Sequence, residues 1–303
     1  MTDTNIRLCD VIIVNYNAGD LLQNCVRSAL RAGARRVIVV DNGSSDGSIE
    51  AVERALASDQ LSFVCNGENL GFARACNLGA AVSDADFLLF LNPDCELEPE
   101  ALSRMLEVLS GDKSIGMAGG LLCNPDGSEQ AGGRRRFPTP QRAFARAFGL
   151  AGLGKLFPSL FPDYLLHQAP LPAEPVEVDA ISGACMLVSR TAMDDVGLWD
   201  EGYFLHCEDL DWCMRFKLAG WGVIFVPDAR VLHVGGVSSR ARPVFVEWHK
   251  HRGMLRFYTK FFRQRYPVPL WWLVVVGVWF RFALVTLGQG CIRLRTRLLG
   301  RGK

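Results

Sequence analysis

Four side chains occupy positions in this sequence where they could take part in chemistry. Asp41 begins the sequence DNGSSDG, Asp94 ends NPD, Asp209 lies in the acidic cluster HCEDLDW, and His233 stands alone in VLHVGG. Carboxylate and imidazole groups bind divalent cations, and a carboxylate can also accept a proton from a substrate. The four residues predict acid–base chemistry assisted by Mg²⁺ or Mn²⁺.

Asp41 and Asp94 each follow an apolar run that is typical of a buried strand. An acid at the end of such a strand can accept hydrogen bonds from a base edge or ribose hydroxyls, or ligate the cation that bridges two phosphates. DNG and NPD are also common turns. For Asp41 both interpretations stay open, whereas the position of Asp94 favours a metal ligand.

Glu208 and Asp209 open a predicted helix, where acids are commonly explained by capping and by the helix dipole. The two side chains project from different faces, so one can be held by the protein while the other faces a substrate. We assign Asp209 as the general base, with Glu208 beside it as a second catalytic residue. His233 is either a hydrogen-bonded structural histidine or a ligand that completes a metal shell begun by Asp94.

The elements that must position these residues follow from hydrophobic periodicity. Short β-branched runs alternate with helical patterns, which predicts an α/β fold with parallel strands, crossover helices and ligands at the carboxyl ends of the strands. The predicted strands are Val11–Val14, Val37–Val40, Leu61–Val64, Phe87–Leu91 and Val223–Val226. Asp20 is placed to cap the start of the first predicted helix, and the others begin after Asp46 and at Phe72, Pro99 and Asp209.

Composition argues for a folded protein, because 303 residues with 49% hydrophobic content can fill a sizeable core. The ten cysteines are scattered without a CxxC pair, which favours reduced cysteines in a cytosolic compartment. The N-terminal sequence has no apolar signal stretch, so we expect the catalytic part in the cytoplasm.

The segment from Gln130 to Pro162 has six basic residues after Gln130 and no acid, which predicts a loop with an interfacial amphipathic stretch.

The net charge of +1 conceals an asymmetry. From Trp248 to Lys303 there are twelve Lys or Arg and no acid, which leaves the preceding residues at about −11. The apolar run Val268–Phe280 favours an anionic membrane over nucleic acid as the partner of this basic region. The run has thirteen residues, fewer than the roughly 20 of a spanning helix, and Arg281 ends it. We expect a re-entrant or in-plane helix, with a buried core helix as the alternative.

Seven motifs occur in an order and at spacings that resemble glycosyltransferase family 2, and most of all its bacterial rhamnosyltransferases of polysaccharide, O-antigen and cell-wall linker synthesis. They are VIIVNYN, VVDNGSSDGS, NLGFARACNLG, FLNPD, ISGACMLVSR, FLHCEDLDWCMRF and VLHVGG, and they cover about Val11 to Ser239. The resemblance implies a GT-A fold with a mostly parallel central sheet in residues 1–240. A helical, membrane-associated region would follow in residues 241–303.

The resemblance also implies roles for these residues. Asp41 would contact the nucleoside, Asp94 would act as the last aspartate of a DxD motif, and His233 would complete the metal site. Asn92 replaces the first aspartate of that motif, which leaves one carboxylate. Asp209 would be the base in an inverting transfer of a sugar from a nucleotide diphosphate to an acceptor hydroxyl.

Further residues of the motifs are expected to line the two substrate sites. Those at the donor are Asn15, Asn17, Asp41, Arg74, Asn77 and Asn92, and those at the acceptor are Asp179, Gly183, Trp199 and Asp200. The expected donor is TDP-rhamnose, with a UDP-hexose or galactofuranose donor as alternatives. The expected acceptor is a polyprenyl diphosphate-linked sugar or a polysaccharide, at the cytoplasmic face of the inner (plasma) membrane.

Two rival functions are an inactive, membrane-bound sugar-binding homologue and a nucleotidyltransferase. The intact acids and His233 argue against the first. The second would need a glycine-rich, basic phosphate loop after the first strand, and NYNAGD is not such a loop.

Overall fold

The computed structural model describes residues 9–56, 58–142, 164–235 and 242–299. The chain divides into two units. Unit 1 contains the described residues of Met1–Phe137, Tyr164–Phe204 and Glu208–Arg240, and unit 2 contains those of Pro138–Asp163, Leu205–Cys207 and Ala241–Lys303.

A mixed β-sheet forms the centre of unit 1. The strands are β1 (Cys9–Asn15), β2 (Arg36–Asp41), β3 (Leu61–Cys65), β4 (Phe87–Leu91), β5 (Cys95–Leu97), β6 (Ile115–Cys123), β7 (Arg134–Arg135), β8 (Val176–Glu177), β9 (Ala180–Ile181), β10 (Cys185–Ser189) and β11 (Gly222–His233). The central sheet has the order β3-β2-β1-β4-β10-β6-β11-β5, with β8 beside β11, and β7 pairs with β9 separately.

The expected parallel part of the sheet comprises β1 to β4, and β6 and β11 form a second parallel pair. β10 runs antiparallel to both β4 and β6. Its first residue, Cys185, therefore pairs with Leu91, the last residue of β4. The N–H of Asn92 donates to the Ala184 carbonyl at 2.9 Å, so the segment before β10 lies at the carboxyl end of the parallel strands.

The helices of unit 1, apart from α5, correspond to predicted helices. They are α1 (Asp20–Arg31), α2 (Ser48–Ala55), α3 (Phe72–Ala81), α4 (Ala101–Gly111), α5 (Arg190–Val196) and α6 (Glu208–Leu218). Pro99 was expected to start α4, but the helix begins at Ala101. The Ala101 N–H donates to the Glu98 carbonyl at 2.9 Å, and this hydrogen bond closes a turn that contains Pro99. Gly19, and not Asp20, occupies the cap position of α1.

Most of the predicted amphipathic stretch between Gln130 and Pro162 lies outside the described residues. Its first part is not a loop, because Arg134 and Arg135 form β7, antiparallel to β9. Their side chains are only 5% and 16% exposed. Both arginines therefore point into the protein, where acidic partners neutralise them, and they are not available to an interface.

A cluster of aromatic side chains holds α6 against the sheet. Trp212 of α6 is fully buried. Its ring centroid lies 4.2 Å from that of Trp199 and 5.4 Å from those of Phe90 and Phe216. Because this packing fixes the rotation of α6, it decides where the acids of the first turn point.

Two helices form most of the described part of unit 2, namely α7 (Pro243–Phe262) and α8 (Val268–Leu299). Within α8, the stretch Val268–Gly290 is long and apolar enough to cross a membrane, judged by length and composition alone. Only 6% of its apolar 18-residue part is buried. The alternative of a buried core helix is therefore wrong.

Candidate active site

Asp41 is held by a hydrogen-bond network at the end of β2. Its carboxylate accepts from the Asn15 amide at 2.9 Å, and from the N–H groups of Gly43 and Ser44 at 3.1 and 3.0 Å. Asn15 is fully buried, and its amide also donates to the hydroxyls of Ser44 and Ser48. Asn15 was expected at the donor, but it lies beneath Asp41 and shapes this loop, because burial keeps it from reaching a ligand.

The other residues expected at the donor lie in different surroundings. Asn17 joins the Asp41 loop, since its side-chain oxygen accepts from the Ser45 N–H at 2.8 Å. Arg74 of α3 has a side chain that is 55% exposed. Asn77 is 8% exposed, and its amide donates to and accepts from the backbone of Trp199 at 3.0 and 3.1 Å. Asn77 therefore fastens the Trp199 segment to α3.

Asp94 and His233 are brought together by the antiparallel pairing of β5 with β11. His233, the last residue of β11, is the register partner of Cys95, the first residue of β5. Its Nε2 lies 3.2 Å from Asp94 Oδ1, and the two side chains are 13% and 10% exposed. The Cys95 sulfur belongs to the same group of possible ligand atoms, which lie within 4.8 Å of one another. Asn92 precedes them in the turn between β4 and β5.

The ligand atoms of Asp94 and His233 fit a hard divalent cation. Neighbouring ligands in an octahedral shell with bonds of about 2.1 Å lie about 3 Å apart. The spacing of 3.2 Å matches this value. Cys95 fits less well, because burial raises the pKa of its thiol well above the usual range and Mg²⁺ and Mn²⁺ prefer oxygen and nitrogen ligands. Asp94 and His233 are therefore the residues that would hold a cation.

Asp209 lies in the first turn of α6, and its carboxylate is held by groups from distant parts of the chain. Arg135 of β7 forms a close ion pair with its Oδ2. The Gly183 N–H donates to the same oxygen at 3.2 Å. Arg135 is itself positioned by a hydrogen bond to the Ile181 carbonyl at 3.0 Å. These contacts orient a carboxylate that stays 15% exposed.

The surroundings of Asp209 also keep its carboxylate ionised. Burial by itself raises the pKa of this carboxyl. The charge and hydrogen bond of Arg135, together with the N–H groups of Gly183 and Leu210, outweigh burial and hold the pKa of Asp209 below its ordinary value. An ionised carboxylate of this kind can accept a proton at neutral pH.

The other acids in the first turn of α6 are more deeply buried. Glu208 is 7% exposed, and Asp211 is fully buried. Asp211 accepts hydrogen bonds from the Tyr203 hydroxyl at 3.0 Å and from the Arg215 guanidinium at 2.7 Å. Asp211 thus stabilises α6, which leaves Asp209 as the acid best placed to meet a substrate.

The residues expected at the acceptor do not all line one surface. Gly183 contacts Asp209 directly through its N–H, and a side chain at residue 183 would crowd Asp209, because an added Cβ atom would lie 3.3 Å from the Asp209 Cβ. Trp199 is 2% exposed inside the aromatic cluster, so it supports the site and does not face an acceptor. Asp179 and Asp200 each accept a hydrogen bond from a backbone N–H, at 3.0 and 2.9 Å.

Two residues that contact Asp209 and His233 were not predicted from the sequence. Arg135 is 74 residues from Asp209 along the chain, and Gln130 contacts His233 across 103 residues. Both lie in the segment that composition assigned to an interfacial loop. The glycine- and arginine-rich sequence around them is a signal of unusual structure, but it does not say which side chain turns inward.

Comparisons with known proteins show the family of this chain. A model of glycosyl transferase family 2 matches residues 10–197, and a model of glycosyl transferase family group 2 matches residues 165–296. The N-acetylglucosaminyl-diphospho-decaprenol L-rhamnosyltransferase of Mycobacterium tuberculosis strain H37Rv is 30% identical over 275 residues, which cover 86% of this chain and 87% of that protein. The rhamnosyltransferase WbbL of Escherichia coli strain K12 is 25% identical over 244 residues, or 76% and 85% of the two chains.

A solved structure shares the fold. The mannosyltransferase PcManGT from Pyrobaculum calidifontis, in complex with GDP-Man and Mn²⁺, superposes with a TM-score of 0.57 at 14% identity over 98% of this chain and 81% of that chain. The GT-A fold predicted from the motifs is confirmed, as is the resemblance to bacterial rhamnosyltransferases. The chain belongs to glycosyl transferase family 2.

Proposed function

We propose that the chain is an inverting, metal-dependent glycosyltransferase in which Asp209 is the general base. The observation that carries the proposal is the contact of Asp209 with Arg135 and Gly183, which orients an ionised carboxylate. Asp94 and His233, in the same unit, would hold Mg²⁺ or Mn²⁺. Glu208 remains a proposed second catalytic residue.

The proposed reaction is a single displacement. Asp209 accepts the proton of an acceptor hydroxyl while the hydroxyl oxygen bonds to the anomeric carbon of the donor sugar. The bond from that carbon to the diphosphate oxygen breaks on the opposite face, which inverts the configuration. When bound, the cation supplies positive charge beside the leaving diphosphate. Asp41, Asn17, Arg74 and Asn92 are proposed to contact the donor.

The substrates are proposed from the relatives. The M. tuberculosis and E. coli relatives are both named as rhamnosyltransferases. The name of the M. tuberculosis protein also describes a decaprenol-linked acceptor. We propose TDP-rhamnose as donor and a polyprenyl diphosphate-linked sugar or a polysaccharide as acceptor. A UDP-hexose or galactofuranose donor, and an inactive sugar-binding protein, are the alternatives.

A thermal-shift and hydrolysis screen of nucleotide sugars, with and without Mn²⁺, tests the donor. TDP-rhamnose should raise the Tm more than UDP-sugars do, and more with Mn²⁺, because a ligand that binds the folded state stabilises it. Slow release of TDP should accompany binding. A response to UDP-sugars alone would reassign the donor, and no response to any nucleotide sugar would contradict the proposed function.

Residues 241–303 are proposed to hold the enzyme at the cytoplasmic face of the inner membrane. α8 carries exposed apolar side chains every three or four residues, so they form one strip along the helix. These side chains are between 52% and 67% exposed and are Trp272, Leu273, Val276, Phe280, Leu284 and Leu287. An apolar strip in a basic, tryptophan-rich region fits an anionic membrane surface.

The contact between α7 and α8 favours a helix that lies in the membrane plane. Arg281 Nη1 of α8 lies 3.1 Å from His251 Nε2 of α7, so the helices are side by side at this point. If α8 crossed the bilayer here, Lys250 and Arg252 of α7 would approach the hydrocarbon, where each charge costs about 2.5 to 3.5 kcal/mol. A re-entrant hairpin is disfavoured because α8 is one continuous helix.

The membrane proposal predicts that the full chain sediments with membranes, whereas a chain ending at Gln264 is released as soluble protein. Val276→Glu with Leu284→Glu should also release it, because both charges would enter the strip, and Thr259→Glu on α7 is the control. An in-plane helix should be extracted by alkaline carbonate. Resistance to carbonate would support a spanning helix instead, and recovery of the full chain as soluble protein would contradict membrane binding.

A further inference from the structure

Gln130 contacts His233 on the side of the imidazole ring opposite to Asp94. The Gln130 Oε1 atom lies 2.5 Å from His233 Nδ1, whereas Nε2 of the same ring lies 3.2 Å from Asp94 Oδ1. Both ring nitrogens are therefore engaged. Which nitrogen carries the proton decides whether the ring can ligate a cation through Nε2.

Two acceptors fix the orientation of the Gln130 amide. Its Nε2 donates to the Asn124 side-chain oxygen at 3.1 Å and to the backbone carbonyl of His233 at 3.2 Å. A backbone carbonyl can only accept, so the amide nitrogen must face it and the amide oxygen must face Nδ1. Because an amide oxygen also only accepts, Nδ1 must carry the hydrogen.

The orientation of Asn124 is fixed in the same way. Its Nδ2 donates to the Ser128 hydroxyl at 3.0 Å, and that hydroxyl donates to the Asp126 carboxylate at 2.5 Å. The hydrogen bonds thus run in one direction from the His233 ring to an ionised carboxylate. Hydrogen bonds aligned in this way polarise one another, which increases electron density at the ring nitrogen that carries no hydrogen.

We propose that Gln130 is a positioning residue that holds His233 as the Nδ1-protonated tautomer and directs the Nε2 lone pair at the cation shared with Asp94. The inference rests on the metal site of the proposed function. In this tautomer Nε2 and Asp94 Oδ1 are two acceptors that face each other, an arrangement that a cation between them satisfies. Histidine ligands commonly donate their other ring N–H to a partner of this kind.

NMR of the metal-free full chain, with ¹⁵N-labelled histidine, reads the tautomer directly. The His233 signals are those, among five histidines, that disappear in His233→Ala. In the neutral ring of the wild type, the hydrogen should lie on Nδ1 and Nε2 should carry none. Gln130→Leu, which removes the acceptor, should shift the ring toward the other tautomer, whereas Gln130→Glu keeps an oxygen acceptor and should preserve it. An unchanged tautomer in Gln130→Leu would overturn the inference.

Titration with Mn²⁺ separates this inference from the metal site itself. Free Mn²⁺ is followed by electron paramagnetic resonance in the presence of the nucleoside diphosphate that stabilises the wild type most. Gln130→Leu should lower the Mn²⁺ affinity about 10- to 100-fold, with Gln130→Glu closer to wild type. If only His233→Ala weakens binding, Gln130 does not position the ligand; if neither variant does, the metal site is wrong and the inference fails with it.

Discussion

Replacing Asp209 with Asn should lower the rate of sugar transfer by about two or more orders of magnitude, the scale of a lost general base. The variant should still fold and bind donor, because Asn has nearly the same shape and its oxygen can accept the Gly183 N–H. The amide cannot take up the proton of the acceptor hydroxyl. A steady-state transfer assay, with donor affinity from calorimetry, measures both effects.

Asp194→Asn is the matched control, because Asp194 is an exposed acid on α5 in the same unit. It undergoes the same chemical change and should leave turnover at the wild-type level. Near-wild-type turnover of Asp209→Asn would remove Asp209 from the mechanism.

Arg135→Gln supplies a companion measurement, because it leaves the base in place. Arg135 lowers the pKa of Asp209, so the wild-type carboxylate stays ionised as the pH falls toward that lowered value. Without the guanidinium the pKa rises, and the acid limb of the kcat/KM profile should move to higher pH. Arg136→Gln, at the exposed neighbouring arginine, should leave the profile unchanged. A profile of Arg135→Gln that matches wild type would separate this ion pair from catalysis.

The second large effect is expected at the metal site. Asp94→Ala and His233→Ala should each weaken Mn²⁺-dependent binding of the nucleoside diphosphate by at least about tenfold, since even outer partners of metal ligands cost 10- to 100-fold. Asp94 should matter more, because its carboxylate brings negative charge to the cation. Calorimetry with and without Mn²⁺ measures the difference.

Glu98→Ala is the matched control for Asp94→Ala, because it removes another acid four residues further along the chain. Glu98 forms an exposed ion pair with Arg230 at 3.1 Å and is not a member of the Asp94 group. Its loss should leave the Mn²⁺ dependence as in wild type. If Asp94→Ala and His233→Ala both bind the nucleoside diphosphate with unchanged Mn²⁺ dependence, the metal assignment is wrong.

The strands and helices of unit 1 could be predicted because their signals are local. β4 coincides with the predicted Phe87–Leu91, and α3 begins at Phe72 as expected. Hydrophobic periodicity within each segment decides these elements. The start of α4 was predicted at Pro99 and lies at Ala101, because Pro99 belongs to the turn between Glu98 and Ala101.

Three site residues were singled out from the predicted elements, and the role of the fourth depended on the resemblance. Asp41 lies at the end of β2 and Asp94 just after β4, where parallel strands present ligand-binding residues. Asp209 was assigned as the base from its place beside Glu208 at a predicted helix start, and the family motifs imply the same role. The ligand role of His233 depended on the family motifs, since a lone histidine has an ordinary structural explanation.

The sequence by itself determined the fold class, the family and the acids at the strand ends, because each is encoded in short segments or in the order of motifs. The tertiary structure alone decided which side chains meet. The register of β5 on β11 sets His233 beside Asp94. The pairing of β7 with β9 turns Arg135 toward Asp209, 74 residues away. Such contacts depend on strand register and on which face of a two-residue strand is buried, and neither is written in the local pattern of a basic segment.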